Sequence, residues 1–407
     1  MNTATKLWNK NFILYLTAME LSSIGNSLLR FALPLYLLLE TGSPALMGTV
    51  LSISSIPLII FLPVGGTIAD RYSKRKILGW TNLATAISIV VYLSINQVLG
   101  ILPASIILLL LFSTFEGMMR PSSEATLPFI VPEQSLVKAN SLNWSLSVFS
   151  MVASPIIGGF ILSTLGLFSI LIISIVFYLL ASVMKFMVKI PYKERRIETG
   201  LLKTIINDFQ ESFVYVSRKN TKIGRLLRIS VFNGLFFLPI NYIALPILIS
   251  SYLGMAESTV GIVQGVVMLG GTAGGILFGL LGNKVTIKST FLILLSCSLI
   301  VVLSGFIMMW SPSNILTLIV LSVLFFAIMG LTVIIAILVT TYFGTNISEE
   351  LLGKVVALDF AIVWVAIAIG NFLFGWLLNH FIDSPWFALF IMGGVATLAT
   401  SFVKMKE

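Results

Sequence analysis

Apolar blocks far longer than a core strand needs recur from one end of the chain to the other, Ile106–Phe112 and Phe291–Leu303 among them. Glycine, proline and short charged runs punctuate them. A bilayer core takes about 20 residues of helix, whereas a spanning β-barrel would show alternating segments of about 10. These blocks do not alternate, so the pattern predicts membrane-spanning helices. The punctuation places six of them at roughly 12–39, 45–68, 77–98, 101–126, 140–165 and 168–188. A second six fall at roughly 226–253, 258–281, 289–310, 314–342, 351–378 and 385–403.

Composition agrees. Of 407 residues, 57% are hydrophobic and only 10% charged, whereas soluble proteins carry about a quarter charged residues. An ordinary cytoplasmic enzyme is excluded, and so is a disordered chain. Cys297 and His380 are the only residues of their kinds, so neither a disulfide framework nor a zinc site is expected. The first apolar segment is long and interrupted by Glu20, Asn26 and Arg30, which reads as a retained spanning helix and not a cleaved signal. No Walker phosphate loop, Gly-x-Ser-x-Gly elbow or metal-ligand cluster is present, so no enzyme activity and no cofactor are expected. Energy would then come from an ion gradient.

Charge sets the expected topology. Of the 25 Lys and Arg, all but Arg30 and Arg120 are read into the N-terminal tail, alternate loops or the C-terminal tail. The intervening loops, around Glu40, Gly100, Gly166, Glu257, Pro312 and Asp383, have none. Positive loops stay in the cytoplasm, so both termini are expected there, in a bacterial cell membrane. The net charge of +9 then reports topology and contact with anionic lipid, not nucleic-acid binding. Residues 189–225 divide the chain into bundles 1–188 and 226–407. Within that linker, Leu201, Leu202, Ile205, Ile206, Phe209 and Phe213 repeat at helical spacing opposite Lys203, Asn207, Asp208 and Gln210. This predicts a helix lying on the membrane surface, with a solvated linker as the alternative.

The halves repeat weakly. Ala32-Leu33-Pro34 recurs 212 positions on as Ala244-Leu245-Pro246, and Gly158 and Phe160 recur as Gly370 and Phe372. The run Gly66–Arg71 matches Gly279–Lys284. Three weak matches on equivalent helices suggest a duplicated six-helix unit, an arrangement characteristic of secondary transporters.

The second span ends Gly65-Gly66-Thr67-Ile68-Ala69-Asp70-Arg71-Tyr72-Ser73-Lys74-Arg75-Lys76. This resembles the loop signature of the major facilitator superfamily: glycine, then Asp-Arg, then a basic cluster between helices 2 and 3. Ser73 replaces a usual glycine, and the second-half copy carries Asn283 in place of Asp. The fifth span contains Ala153-Ser154-Pro155-Ile156-Ile157-Gly158-Gly159, similar to the Gly-Pro-x-x-Gly-Gly motif of the family's antiporters, with Ser154 for the first glycine. The whole chain resembles the drug:proton antiporter-3 branch, which includes macrolide-efflux proteins. That likeness rests on Leu35–Gly42 with Ser43-Pro44-Ala45, on Arg120-Pro121 through Leu127–Glu133, and on Asp208–Gly224. It implies an all-α protein of twelve transmembrane helices in two pseudo-symmetric six-helix bundles, acting as a monomer. It also implies a conformational latch in which Gly65, Gly66, Asp70, Arg71, Lys74 and Arg75 engage the eleventh helix, with Glu124 as a partner for Arg71 or Lys74. One departure matters: Asn26 stands where many relatives carry an acidic residue.

Ionisable residues in spanning helices are costly and are functional candidates by default. Helix 1 offers Glu20 and Arg30; helix 4 offers Glu116, Arg120 and Glu124; helix 11 offers Asp359. At 1.5 Å per residue, Glu20 and Glu116 lie at similar depth, about 14 and about 15 Å from the inner helix ends. An encounter of Glu20, Glu116 and Arg120 is therefore expected, with Arg30 further out facing Glu40 or water. Low dielectric favours the protonated form of a carboxyl group and a nearby arginine the ionised form. Glu116 is the expected proton carrier, assisted by Glu20 and modulated by Arg120; a static salt bridge is the alternative. Asp359 is assigned to the inner gate. Asn26, Arg30, Asn143, Trp144, Asn233, Asn241, Tyr242 and Trp364 are the candidates for lining a largely apolar substrate cavity.

The leading expectation is proton-coupled export of amphipathic small molecules, with Na+ left open as coupling ion. An endogenous metabolite, siderophore or lysolipid is the alternative cargo, and a non-transporting membrane receptor or assembly factor is the alternative of another class.

Overall fold

The computed structural model describes residues 6–191, 221–311 and 313–403. The expected linker helix over Leu201–Phe213 lies outside the described residues, as does the side chain of Asp70. Every regular element among the described residues is helical. The long helices are α1 (Lys10–Thr41), α2 (Pro44–Arg71), α3 (Lys74–Leu99) and α4 (Ile101–Glu124). After the short α5 (Leu127–Ile130) comes α6 (Leu136–Met187), which turns at Gly166 with φ 74° and so supplies the fifth and sixth spans. Only glycine takes that left-handed conformation without steric cost.

The second half begins with α7 (Thr221–Phe236), which continues through a π-helical turn at Ile240–Ala244, the short α8 (Leu245–Ile247) and a second π-helical turn at Leu248–Tyr252. Then follow α9 (Glu257–Leu281), α10 (Thr290–Trp310), α11 (Asn314–Asn346), α12 (Glu349–His380) and α13 (Pro385–Val403). Helices satisfy every backbone polar group internally, which lipid requires. Many of their hydroxyl side chains do likewise. Thr81 donates to the Ile77 carbonyl at 2.8 Å and Ser298 to the Leu294 carbonyl at 2.9 Å, one turn back in each case.

The helices form two compact units. One contains the chain up to Tyr36 and from Ile53 through α6; the other contains Leu37–Ser52 and the helices from α7 onward. The end of α1 and the first turns of α2 thus pack with the second unit. There the Ser52 hydroxyl donates to the Ala368 carbonyl at 2.6 Å, and Gly48 and Gly375 face each other, so that a Cβ on Gly375 would lie 2.8 Å from Gly48 Cα.

Each unit repeats the same internal contacts. In the first, Gly158 of α6 presses on Leu28 and Phe31 of α1; in the second, Gly370 of α12 presses on the Leu235 carbonyl and Pro239 beyond α7. Gly117 of α4 meets the backbone of α2 at Leu58 and Leu62, and its equivalent Gly330 of α11 meets α9 at Gly270 and Gly274. Two spanning helices gain most of their attraction from such close approach, because lipid offers no hydrophobic drive between them.

Of the paired glycines closing α2, only the first is at a contact. A Cβ on Gly65 would run into the Gly117 carbonyl and sit 2.8 Å from Met118 Cα, whereas one on Gly66 would have nothing within 4 Å. Gly65→Ala is expected to lose about 1–3 kcal/mol to overpacking. Gly66→Ala is expected to gain up to about 1 kcal/mol from helix propensity. Thermal unfolding of the two purified variants in detergent checks both signs.

Candidate functional site

The charged site of the first unit is built by α1, α4 and α6. The Arg30 guanidinium of α1 forms an ion pair with Glu116 Oε2 of α4, its Nε donates to Asn26 Oδ1 at 2.9 Å, and its Cζ lies 5.6 Å from the centre of the Phe112 ring. Asn26 also contributes a hydrogen bond to the Glu116 carboxylate. Phe112 meets Tyr178 edge to face at 5.8 Å. Both charged side chains are partly exposed, at 29% for Arg30 and 21% for Glu116, so the packed helices do not seal the pair completely.

The expected trio of Glu20, Glu116 and Arg120 assembles only in part: Arg120 lies close enough to act electrostatically on Glu116, while Glu20 bonds elsewhere. Side chains in a helix lean toward its N-terminus, and α1 and α4 cross the bilayer in opposite directions. Arg30 therefore reaches back along α1 while Glu116 leans to meet it, and the two converge from different Cα depths. Glu20 leans away from Glu116 and instead accepts a hydrogen bond from the Ser150 hydroxyl of α6. Arg120 pairs with Glu124 one turn on, Nε to Oε1 at 3.3 Å, with side chains 38% and 71% exposed. Such an exposed i,i+4 pair contributes only a few tenths of a kcal/mol, about 0.3–0.5. Glu124 thus meets Arg120, and Lys74 lies over the Phe129 ring, 5.1 Å from its centre. Arg71 closes α2, and Arg75 is exposed on the first turn of α3.

The fifth-span motif is a packing element. Pro155, Gly158 and Gly159 are buried, and the Ser154 hydroxyl is buried with no hydrogen-bond partner among the described residues. Of the proposed cavity residues, Asn143 is half-buried, Trp144 is exposed at 72% and Tyr242 is exposed on the first π-helical turn.

In the second unit the polar residues are mostly buried. Asn233 Nδ2 reaches the Thr332 carbonyl at 3.5 Å, Gln264 donates to the Asn241 carbonyl at 3.3 Å, and Asn241 Nδ2 faces the Met268 sulfur at 3.7 Å. Asn233 and Asn241 are therefore part of the packing between helices and are not open to a cavity. Asp359 of α12 faces the Ser230 hydroxyl of α7, while its Oδ1 has no partner among the described residues. Trp364 is half-buried and packs against Phe360, ring centres 5.9 Å apart.

One buried ionisable side chain was absent from the expected site. Lys185, near the end of α6, is 1% exposed and donates to Ser22 of α1 at 2.9 Å. By sequence it counts as one more cytoplasmic cation. The signal available was its position inside the sixth apolar span.

The chain matches the Major Facilitator Superfamily family model over residues 16–239, more than half its length. It belongs to the major facilitator superfamily. Along its length it is 26% identical to "Macrolide efflux protein A" of Streptococcus pyogenes, over 388 residues covering 94% of this chain and 93% of that protein. A protein of the same description from Enterococcus faecalis is 28% identical over 321 residues, 77% of this chain and 95% of the relative. The fold is shared with a nucleoside transporter, at a TM-score of 0.77 and 14% identity, covering 98% of this chain and 100% of that one. A D-xylose-proton symporter superposes with a TM-score of 0.74 at 16% identity, covering 96% of each chain. This major facilitator protein is a multi-pass membrane transporter and not an enzyme.

Removing one member of a half-buried ion pair strands the other, at a cost of about 1–3 kcal/mol. Arg30→Met is therefore expected to lower the unfolding temperature, and the double variant Arg30→Met with Glu116→Gln to recover most of the loss. Thermal unfolding of the wild type, the two single variants and the double variant checks this; additive losses would mean that the two side chains do not depend on each other.

Proposed function

We propose that this transporter exports amphipathic small molecules, macrolide-like drugs among them, in exchange for protons, by alternating access in a bacterial cell membrane with both termini in the cytoplasm. Its similarity to the macrolide efflux proteins over nearly the whole chain supports the cargo class and the direction. The observation that carries the coupling is the Arg30–Glu116 pair, an ion pair between two spanning helices with both side chains partly exposed. Protonating Glu116 Oε2 cancels its charge, releases Arg30 and loosens α1 from α4. Loss of the proton restores the pair. The membrane helices thus have two arrangements whose balance follows the proton. Glu20, held by Ser150, assists as a second carboxyl group of the same unit.

Asp70, Arg71, Lys74, Arg75, Glu124 and Asp359, with Gly65 and Gly66, act as the conformational latch in this reading. A weakly polar cavity suits cargo of this kind, since one methylene changes affinity by only about 1–3 kcal/mol and discrimination between hydrophobic ligands stays broad. Arg30, Asn26, Asn143, Trp144, Tyr242 and Trp364 supply its polar and aromatic contacts, and the protein works as a monomer. A second reading, export of a siderophore, draws on 26% identity to an "Enterobactin exporter" of Shigella boydii, over 150 residues and 36% of this chain.

Vesicles containing the purified protein, given imposed pH or Na+ gradients and a panel of macrolides, siderophores and lysolipids, test the reading. Glu116→Gln is expected to abolish pH-driven transport while still accumulating as folded protein in the membrane, its lowered unfolding temperature reflecting the stranded Arg30. Retained proton-driven transport in that variant would remove Glu116 from the coupling role, and transport driven by Na+ alone would replace the ion.

A further inference from the structure

Lys185 is a buried ionisable group that the coupling scheme does not use. It lies two residues before the end of α6, where a lysine commonly snorkels out to the membrane surface. It turns inward instead. Its Nζ donates to Ser22 Oγ of α1 at 2.9 Å and approaches the Met119 sulfur of α4 at 3.6 Å. Ser22 Oγ is fully used: it donates to the Ala18 carbonyl at 2.7 Å and accepts from Asn82 Nδ2 of α3 at 2.9 Å as well as from Lys185. The amine thus ends among a hydroxyl group, an amide and a thioether.

No carboxylate lies within ion-pair distance of it among the described residues. The ionisable groups on each packed helix are engaged elsewhere or lie at its end. On α1, Glu20 is two residues from Ser22 but bonded to Ser150, and Tyr15 donates to the Ser123 carbonyl. On α4, Glu116 is three residues before Met119 but paired with Arg30, and Arg120 is paired with Glu124. On α3, Lys74, Arg75 and Lys76 occupy the first turn, and on α6 itself Tyr178 packs against Phe112. A charge held in this setting would be buried without an anion, an arrangement proteins avoid.

We infer that Lys185 exchanges a proton during the transport cycle, standing as a neutral amine in the packing between α1, α3, α4 and α6 and taking up a proton when α1 and α4 part. The inference rests on the proton-coupled reading above. On opening, the amine lone pair accepts a proton from a hydronium ion, leaving water; on closing, the ammonium N–H breaks and its proton passes to water as hydronium. Ser22 and Met119 belong to the same helices as Arg30 and Glu116, so a movement that breaks that ion pair also uncovers Lys185.

Two variants of the full-length protein separate the possibilities. Lys185→Met keeps the length of the side chain and removes the exchangeable proton, while Lys185→Arg keeps a proton it cannot release. The Met variant is expected to accumulate and elute from size exclusion like the wild type, and the Arg variant to accumulate poorly; this comparison needs no cargo. Equal accumulation of the Arg variant would overturn the inference. In vesicles transporting radiolabelled erythromycin as the macrolide probe, the Met variant is expected to move fewer protons per drug molecule and to lose part of the pH dependence of the wild-type rate. An unchanged proton count and pH profile would overturn it too. Wild-type drug transport without any proton movement would remove the coupled reading itself and this inference with it.

Discussion

An arginine inside a spanning helix has to meet an anion, and the charged site of the first unit is arranged around the meeting of Arg30 with Glu116. Two features of helices make it possible. Antiparallel crossing turns the N-terminal lean of side chains on α1 and α4 toward each other, and the length of the arginine side chain spans the remaining distance. Phe112 then offers its ring face to the guanidinium, and Asn26 takes up both partners. Each contact satisfies a polar atom that lipid could not. The same rule explains why the pair is singular in character: the other ion pair among the described residues, Arg120–Glu124, is an exposed one-turn contact that water could replace.

The two units share their packing but not their charge. Gly158 and Gly370 occupy equivalent contacts, as do Gly117 and Gly330, so duplication preserved the places where backbones touch. At the offset of 212 that links Gly158 to Gly370, Arg30 corresponds to Tyr242. One residue before Gly330, the position of Glu116 is filled by Met329. The ion pair of the first unit therefore has no copy in the second, where buried amides and one carboxyl group take the polar positions. A close glycine contact tolerates almost no substitution, whereas a polar position can change chemistry whenever its partners change with it. That difference accounts for which half of the repeat was readable.

What was legible in the residues followed from one-dimensional rules. Span number and edges come from the length of apolar runs, and the turn at Gly166 comes from a glycine between two of them. Partner choice was not legible, because depth reckoned along a helix axis locates a Cα and not the end of a side chain. Glu20 and Glu116 have similar depth and diverge, while Arg30 and Glu116 have different depths and meet. Lys185 was hidden by the same gap: a basic residue at a helix end reads as a cytoplasmic cation until its side-chain direction is known. Gly66 failed differently, since adjacent glycines look equivalent in sequence but lie about 100° apart around a helix, and only Gly65 faces α4.

Three of the second unit's unsatisfied acceptors lie on or beside its irregular backbone. The helix that begins as α7 passes through two π-helical turns, at Ile240–Ala244 and Leu248–Tyr252, on either side of Pro246. Asn233 Oδ1 and Asn241 Oδ1 on this helix, and Gln264 Oε1 beside it on α9, are buried without a donor among the described residues. Each such acceptor costs about 1–3 kcal/mol relative to a satisfied one. π-helical turns widen a helix and tend to occur where it serves a function beyond support. Apolar side chains at these positions would have packed with less penalty, so stability alone does not explain the amides. In the first unit Arg30 and Glu116 are matched by charge; along α7 the amides are buried and left partly unmatched, and the backbone that carries them is the least regular of any spanning helix described.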